Sequence, residues 1–138
     1  MKKTKKLILI VLGVILLLFI GVKIIVGNAI GEVQSISVNM PDLSNVSDGT
    51  YIGEYSVTPV YVKVEVSVNN HQLTGIMILQ HNNGLGGSAE NIVNDIIEKQ
   101  SLNVDAVSGA TVSSKCILKA VENAIEKGDL KYENNSNL

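Results

Sequence analysis

Arginine and tryptophan are absent from this 138-residue sequence, cysteine occurs once, and the single phenylalanine, Phe19, lies inside an apolar run. Each absence removes a class of function. All 11 cationic residues are lysines, and five of them (Lys2, Lys3, Lys5, Lys6 and Lys23) precede residue 32, whereas all 13 acids lie at or beyond Glu32. Residues 32–138 therefore set six lysines against thirteen acids, a formal charge of −7. Duplex binding rests on neutralising phosphates with Lys and Arg, so nucleic acid is excluded as a partner. One cysteine, Cys116, excludes an internal disulfide, a multi-thiolate zinc site and an iron–sulfur cluster held by this chain alone. Cys116 sits among apolar residues on an expected helix, as a small packed side chain or a reactive thiol. Four tyrosines (Tyr51, Tyr55, Tyr61 and Tyr132) are the aromatic partners left for a planar ligand. The length allows one small domain plus accessories and no large multidomain enzyme.

Hydrophobic residues nevertheless make up 46% of the chain, because Leu7 to Val26 contains only three residues that are not apolar, Gly13, Gly21 and Lys23. At about 1.5 Å per residue, such a helix reaches roughly 30 Å, the thickness of a bilayer's hydrocarbon core. Residues 1–31 therefore read as cytoplasmic lysines and a transmembrane anchor in contact with membrane lipid. Cleavage as a secretory leader at the small-x-small site Gly27-Asn28-Ala29 is the alternative. Four lysines precede the run and only Lys23 and Lys63 follow within the next 40 residues, which places the N-terminus inside and the domain outside. No cysteine directly follows the run for lipid modification.

Residues 32–47, with Pro41 and scattered Ser, Asn and Asp, read as a linker, a tether or edge segment. Asp48-Gly49 opens a short strand. Val60, Val62, Val64, Val66 and Val68 alternate with Tyr61, Lys63, Glu65 and Ser67, which puts five valines on one sheet face. Asn69-Asn70-His71-Gln72 makes a hairpin turn, and Leu73 to Leu79 returns as the partner strand. The polar loop His81 to Gly87 ends in Ser88, a cap for a helix over about 89–100 with the stripe Ile92, Val93, Ile96 and Ile97. An extended piece, Val104 to Val107, leads to a second helix from near Ser113 to Gly128, with the stripe Ile117, Val121, Ala124 and Ile125. Residues 129–138 read as a flexible tail. The fold class is α+β: a small, mainly antiparallel sheet packed by two helices, preceded by one N-terminal transmembrane helix.

Chemistry concentrates in Asp105-Ala106-Val107-Ser108-Gly109-Ala110-Thr111-Val112-Ser113-Ser114. A turn at Ser108-Gly109 feeds a hydroxyl-rich helix start, where free backbone N–H groups and the positive end of the macrodipole suit a phosphate. Thr111, Ser113 and Ser114 add donors, and the small Gly109 and Ala110 permit close approach. An ordinary Ser/Thr-capped helix start has the same composition.

Asp-x-x-Ser-Gly-Ala-Thr followed by Ser-Ser resembles the flavinylation motif of the FMN-binding domain family, which includes the covalent flavoprotein subunits of the sodium-translocating NADH:quinone reductase and the Rnf complex. Asp48-Gly49-Thr50-Tyr51-x-Gly53 matches the family's domain opening, the valine hairpin matches its sheet, and His81-Asn82-Asn83-Gly84-x-Gly86 matches a loop common in its small members. Gln100-Ser101 precedes the motif as in the family. The resemblance covers residues 48–128. It implies that FMN is the cofactor and that a separate flavin transferase joins it to Thr111 through a phosphoester. It also implies that Asp105, Ser108, Gly109, Ala110 and Thr111 are read by the transferase, and that Ser108, Gly109, Ala110, Ser113, Ser114, His81 and Gly84 contribute to the cofactor site. Asn82 and Asn83 stand where larger members have Glu-Thr-Pro, which removes an acid from the expected flavin edge.

Other residues keep two readings. His81 is a donor to a flavin carbonyl or phosphate, or a solvated loop histidine. His71 in the hairpin turn is an exposed residue. Lys115 and Lys119 offset phosphate charge or form a solvated helix face. Tyr51 and Tyr55 share one strand face as ring partners or core. Three functions fit this pattern: an anchored redox carrier between a membrane electron donor and an external acceptor, not a stand-alone enzyme; an FMN-free surface binding or sensing module; and a reductase holding FMN without a covalent bond.

Overall fold

The structure, a computed structural model, describes residues 2–84 and 86–129, with backbone alone for 2–4, 25–30 and 32–34. The expected tail residues 130–138 lie outside the described residues, as does Leu85. The chain divides into two units, residues 1–34 and 35–138, each described by itself.

The first unit is a helix, α1 (Lys2–Ser35). Within it Lys5–Ile24 is long and apolar enough to cross a membrane, and its large side chains are exposed along the whole stretch. An N-terminal leader sequence meets the same criterion of length and composition.

The second unit is built on three strands, β1 (Gly49–Val57), β2 (Val60–Asn69) and β3 (Gln72–Asn82), paired antiparallel in the order β1-β2-β3. It also holds α2 (Ile92–Lys99) and α3 (Thr111–Lys127). The α+β arrangement expected from the pattern is the one found. All five alternating valines of β2 are buried. α3 packs against β1 and β2, and α2 against β3. The α3 stripe Ile117, Val121, Ala124 and Ile125 is fully buried, together with Ile92 and Ile96 of α2. The opposite sheet face exposes Ile52, Met77 and Leu79. On it Tyr61 Oη donates to Glu54 Oε2 at 2.8 Å. That hydrogen bond, with lesser contributions from desolvation and the carboxylate's charge, raises the phenol's pKa.

Asn70 and His71, both at positive φ (49° and 60°), form the two-residue hairpin turn between β2 and β3, which the twist of paired strands favours. Asp48 accepts from Asn70 N at 2.8 Å, and the exposed His71 has Nδ1 3.0 Å from the Leu43 carbonyl. Within 32–47, α1 continues to Ser35, Asp42 caps a 3₁₀ turn (Leu43–Asn45), and Val46 is buried and bridges Asp129.

Three elements differ from the expected bounds. β3 runs on through His81 to Asn82, because register shifts at Ser67/Val68 and Lys63/Val64 each insert an extra residue and let pairing continue. The first helix is split into a 3₁₀ turn (Gly87–Asn91) and α2, and Gly86 rather than Ser88 holds the cap position of that turn. α3 begins at Thr111, two residues before the expected start. Residues 103–107 form no strand.

Gln100 closes α2 in left-handed backbone (φ 49°, ψ 39°), which costs a non-glycine residue on the order of 1 kcal/mol. Its carboxamide accepts from Leu73 N at 2.8 Å and donates to Leu73 O at 2.9 Å and Ile97 O at 2.7 Å, standing against β3 as a neighbouring strand's peptide would. Gln100→Ala is expected to cost about 2 kcal/mol in thermal unfolding, because the buried Leu73 backbone loses its partners. Gln100→Gly should lose about 1 kcal/mol less, because glycine relieves the backbone.

Candidate functional site

The start of α3 is shaped by a turn in which Ala110 N donates to Val107 O at 2.9 Å. Gly109 sits at its third position with φ +77°, a conformation glycine takes without a steric penalty. Ser114 clamps this turn: its Oγ accepts from Val107 N at 3.0 Å and donates to Ala110 O at 2.9 Å. The clamp is why the helix starts at Thr111. Ser114 N to Ala110 O is the first intrahelical bond, so the amides of Thr111, Val112 and Ser113 precede the ladder. Ala110, the cap residue, has no side chain with which to satisfy them.

The hydroxyls expected to act together are separated by burial. Thr111 is exposed, as are Ser108, Gly109 and Asp105, while Ala110 is buried. Ser113 and Ser114 are also buried, at 2% and 0% exposure. Ser114 is spent on the loop. Ser113 points to His81, whose Nε2 is 3.1 Å from Ser113 Oγ.

His81 is brought here by the second register shift. Val62 pairs with His81 and Tyr55 with Val62, so Tyr55, Val62 and His81 form one row on the helix-covered face. The His81 ring is 2% exposed, and its Nδ1 is 2.9 Å from Glu90 Oε1. A carboxylate only accepts, so Nδ1 carries a proton and donates to Glu90, while Nε2 and the Ser113 hydroxyl form a second hydrogen bond. Asn83 Nδ2, 3.4 Å from Nδ1, is too distant to compete. Both ring nitrogens are thus engaged within the protein. Sequence reasoning missed Glu90, which lies nine residues from His81 in the 3₁₀ turn; an acid two residues after Ser88 was its only local signal.

The order Ser113, His81, Glu90 is that of a base-activated hydroxyl. The surroundings exclude that chemistry, because a Cβ built on Gly86 would collide with Ser113 Oγ and lie 2.8 Å from Ser113 Cβ. The glycine loop is pressed on the serine, and no substrate carbonyl can reach it.

Other expected residues fall elsewhere. Tyr51 packs at the far end of α3 against Gly128, with its Oη donating to Ser47 O at 2.8 Å. Lys119 pairs with the buried Glu122 at 2.9 Å, and Lys115 is half-buried. Gly84 is exposed with φ +55°. Cys116 is buried. A cleft of about 300 Å³ lies near the C-terminal end of α3, lined by Asn39, Met40, Pro41, Glu122, Glu126 and Asp129. Three carboxylates there repel a phosphate, so the cleft is unrelated to the Thr111 turn. Among the described residues no group of three or more His, Cys, Asp or Glu side chains is placed to hold a metal ion.

The model of the FMN-binding domain family matches residues 58–126, from the β1–β2 turn through α3. The chain belongs to the FMN-binding domain family. Its cofactor is FMN. A urocanate reductase from Eggerthella lenta is 45% identical over 49 residues, which is 35% of this chain and 8% of that protein's length. The residues present fit a phosphate-bearing group. An exposed hydroxyl stands beside three amides ahead of the helix ladder with no side-chain cap, and among the described residues nothing beyond the chain neighbours lies within 4 Å of a Cβ built on Gly109 or Gly84.

Proposed function

We propose that this FMN-binding domain carries FMN as a phosphoester on Thr111, attached by a flavin transferase, and relays electrons between a membrane donor and an external acceptor. One observation carries the attachment point. Of the three hydroxyls in the first turn of α3, Ser113 and Ser114 are buried and hydrogen-bonded within the protein, and only Thr111 is exposed. Asp105, Ser108 and Gly109 are exposed beside it in sequence, as a surface read by a transferase requires. Bound FMN supplies the electron chemistry, and the chain holds and orients it. A covalent bond keeps the cofactor where cytoplasmic FMN does not replenish it.

Intact mass of the full chain produced with a flavin transferase tests the attachment. The expected gain is one FMN less one water, and an unchanged mass would overturn covalent attachment.

Anchoring follows from α1. Lys5–Ile24 spans the membrane in this reading, with the four N-terminal lysines inside and the domain outside. Protease added to intact cells should remove the domain and spare an N-terminal tag. A protected domain would reverse the orientation.

A further inference from the structure

The first turn of α3 is held in two different ways. Ser114 binds it locally, to the Val107–Ala110 turn that precedes it. Ser113 binds it across the fold, 32 residues away, to His81 at the end of β3, and His81 is itself held by Glu90 of the 3₁₀ turn. Gly86 lies directly on Ser113, so the glycine loop, the 3₁₀ turn, β3 and α3 meet at one buried hydroxyl. Apolar packing lower down α3 sets its distance from the sheet but constrains rotation about its own axis poorly, because dispersion is non-directional. Asn123 and Lys127 tie the middle and end of α3 to the β1 backbone, and the directed hydrogen bonds at 2.9 Å to the exposed Glu90 and 3.1 Å to the buried Ser113 fix the rotation of its first turn, and with it the direction in which Thr111 leaves the helix.

We propose that Glu90, His81 and Ser113 form a latch that orients the first turn of α3, and that His81 is the positioning residue through which Thr111 is presented for modification. The second half rests on Thr111 being the attachment point. In that reaction the Thr111 hydroxyl releases its proton to solvent and its oxygen bonds to the FMN phosphorus. The donor must carry that phosphate in activated form, as in flavin adenine dinucleotide, whose phosphoanhydride breaks and whose nucleotide half leaves as the monophosphate. His81 touches none of these atoms and acts only through Ser113.

Two substitutions separate the links. In His81→Asn the amide reaches the place of Nδ1, keeping Glu90 and losing Ser113; in His81→Gln it reaches the place of Nε2 and keeps Ser113. The full chain in detergent, made without flavin, is treated with a flavin transferase and flavin adenine dinucleotide, and amide hydrogen exchange is followed in parallel. In His81→Asn and Ser113→Ala, turnover at saturating chain should fall at least tenfold with half-saturation unchanged. Protection of the Ser114, Lys115 and Cys116 amides should fall about tenfold. His81→Gln should restore both to within about threefold. Equal losses in His81→Asn and His81→Gln, or normal turnover and protection in His81→Asn, would overturn the latch. If the unaltered chain takes up no flavin, the Thr111 reading fails. The exchange data then decide the latch independently: lost protection supports it and retained protection overturns it.

Discussion

Thr111→Val is expected to abolish covalent flavin entirely while leaving the domain folded. Valine matches threonine in shape and lacks the hydroxyl, so no phosphoester can form. Thr111 is exposed at the first position of α3 with no side-chain hydrogen bond to lose among the described residues, and exposed substitutions of this kind change stability by about 0.5 kcal/mol or less. The mass gain of FMN less water should vanish, and so should in-gel flavin fluorescence under denaturing conditions. Thr111→Ser, which keeps a hydroxyl at the same place, should still be modified. Ser114→Ala should retain the capacity for modification, since that hydroxyl is buried and serves the loop. Covalent flavin surviving Thr111→Val would move the attachment to another residue, with the exposed Ser108 first in line.

Gly53→Ala should produce the largest loss of stability of any small substitution considered for this chain. Gly53 is where α3 lies closest to β1: an added Cβ would overlap the Ala120 carbonyl oxygen and sit 2.5 Å from Ala124 N and 2.8 Å from Ala124 Cβ. The obstruction is helix backbone, which cannot swing aside as a flexible side chain can. α3 would have to lift from the sheet, opening the contact that buries Ile117, Val121 and Ile125. Overpacking against backbone is expected to cost about 3 kcal/mol or more. That corresponds to a fall in melting temperature of roughly 15 °C for a domain of this size. Gly75→Ala is the control, because its nearest atom would be Ser67 Cβ at 3.8 Å, and it should shift the melt by only about 3 °C. Equal shifts in the two variants would show that the loss of glycine, and not the close approach, governs the effect.

The difference between these two glycines marks the boundary of what could be read from residue order. Features set by near neighbours were legible. Alternating valines specify a sheet face because side chains alternate across a strand, and Asn70-His71 specifies a hairpin because both residues take left-handed backbone with comparatively little penalty. The apolar stripes located both helices, the apolar run defined a helix long enough to cross a membrane, and the Ser-Gly-Ala-Thr segment pointed to FMN through its family. Features set by pairing across the fold were not. Two inserted residues in β3 set Ile76 and Ile78, and not Met77 and Leu79, opposite the buried valines of β2, and strand period alone cannot locate them, since they depend on how β3 meets β2. The partners of His81 lie 9 and 32 residues away, so neither Glu90 nor Ser113 could be assigned to it from the sequence. Thr111, Ser113 and Ser114 look alike in sequence as hydroxyls at a helix start. Only packing separates them: the Val107–Ala110 turn occupies one, the glycine loop and His81 cover another, and Thr111 alone faces solvent.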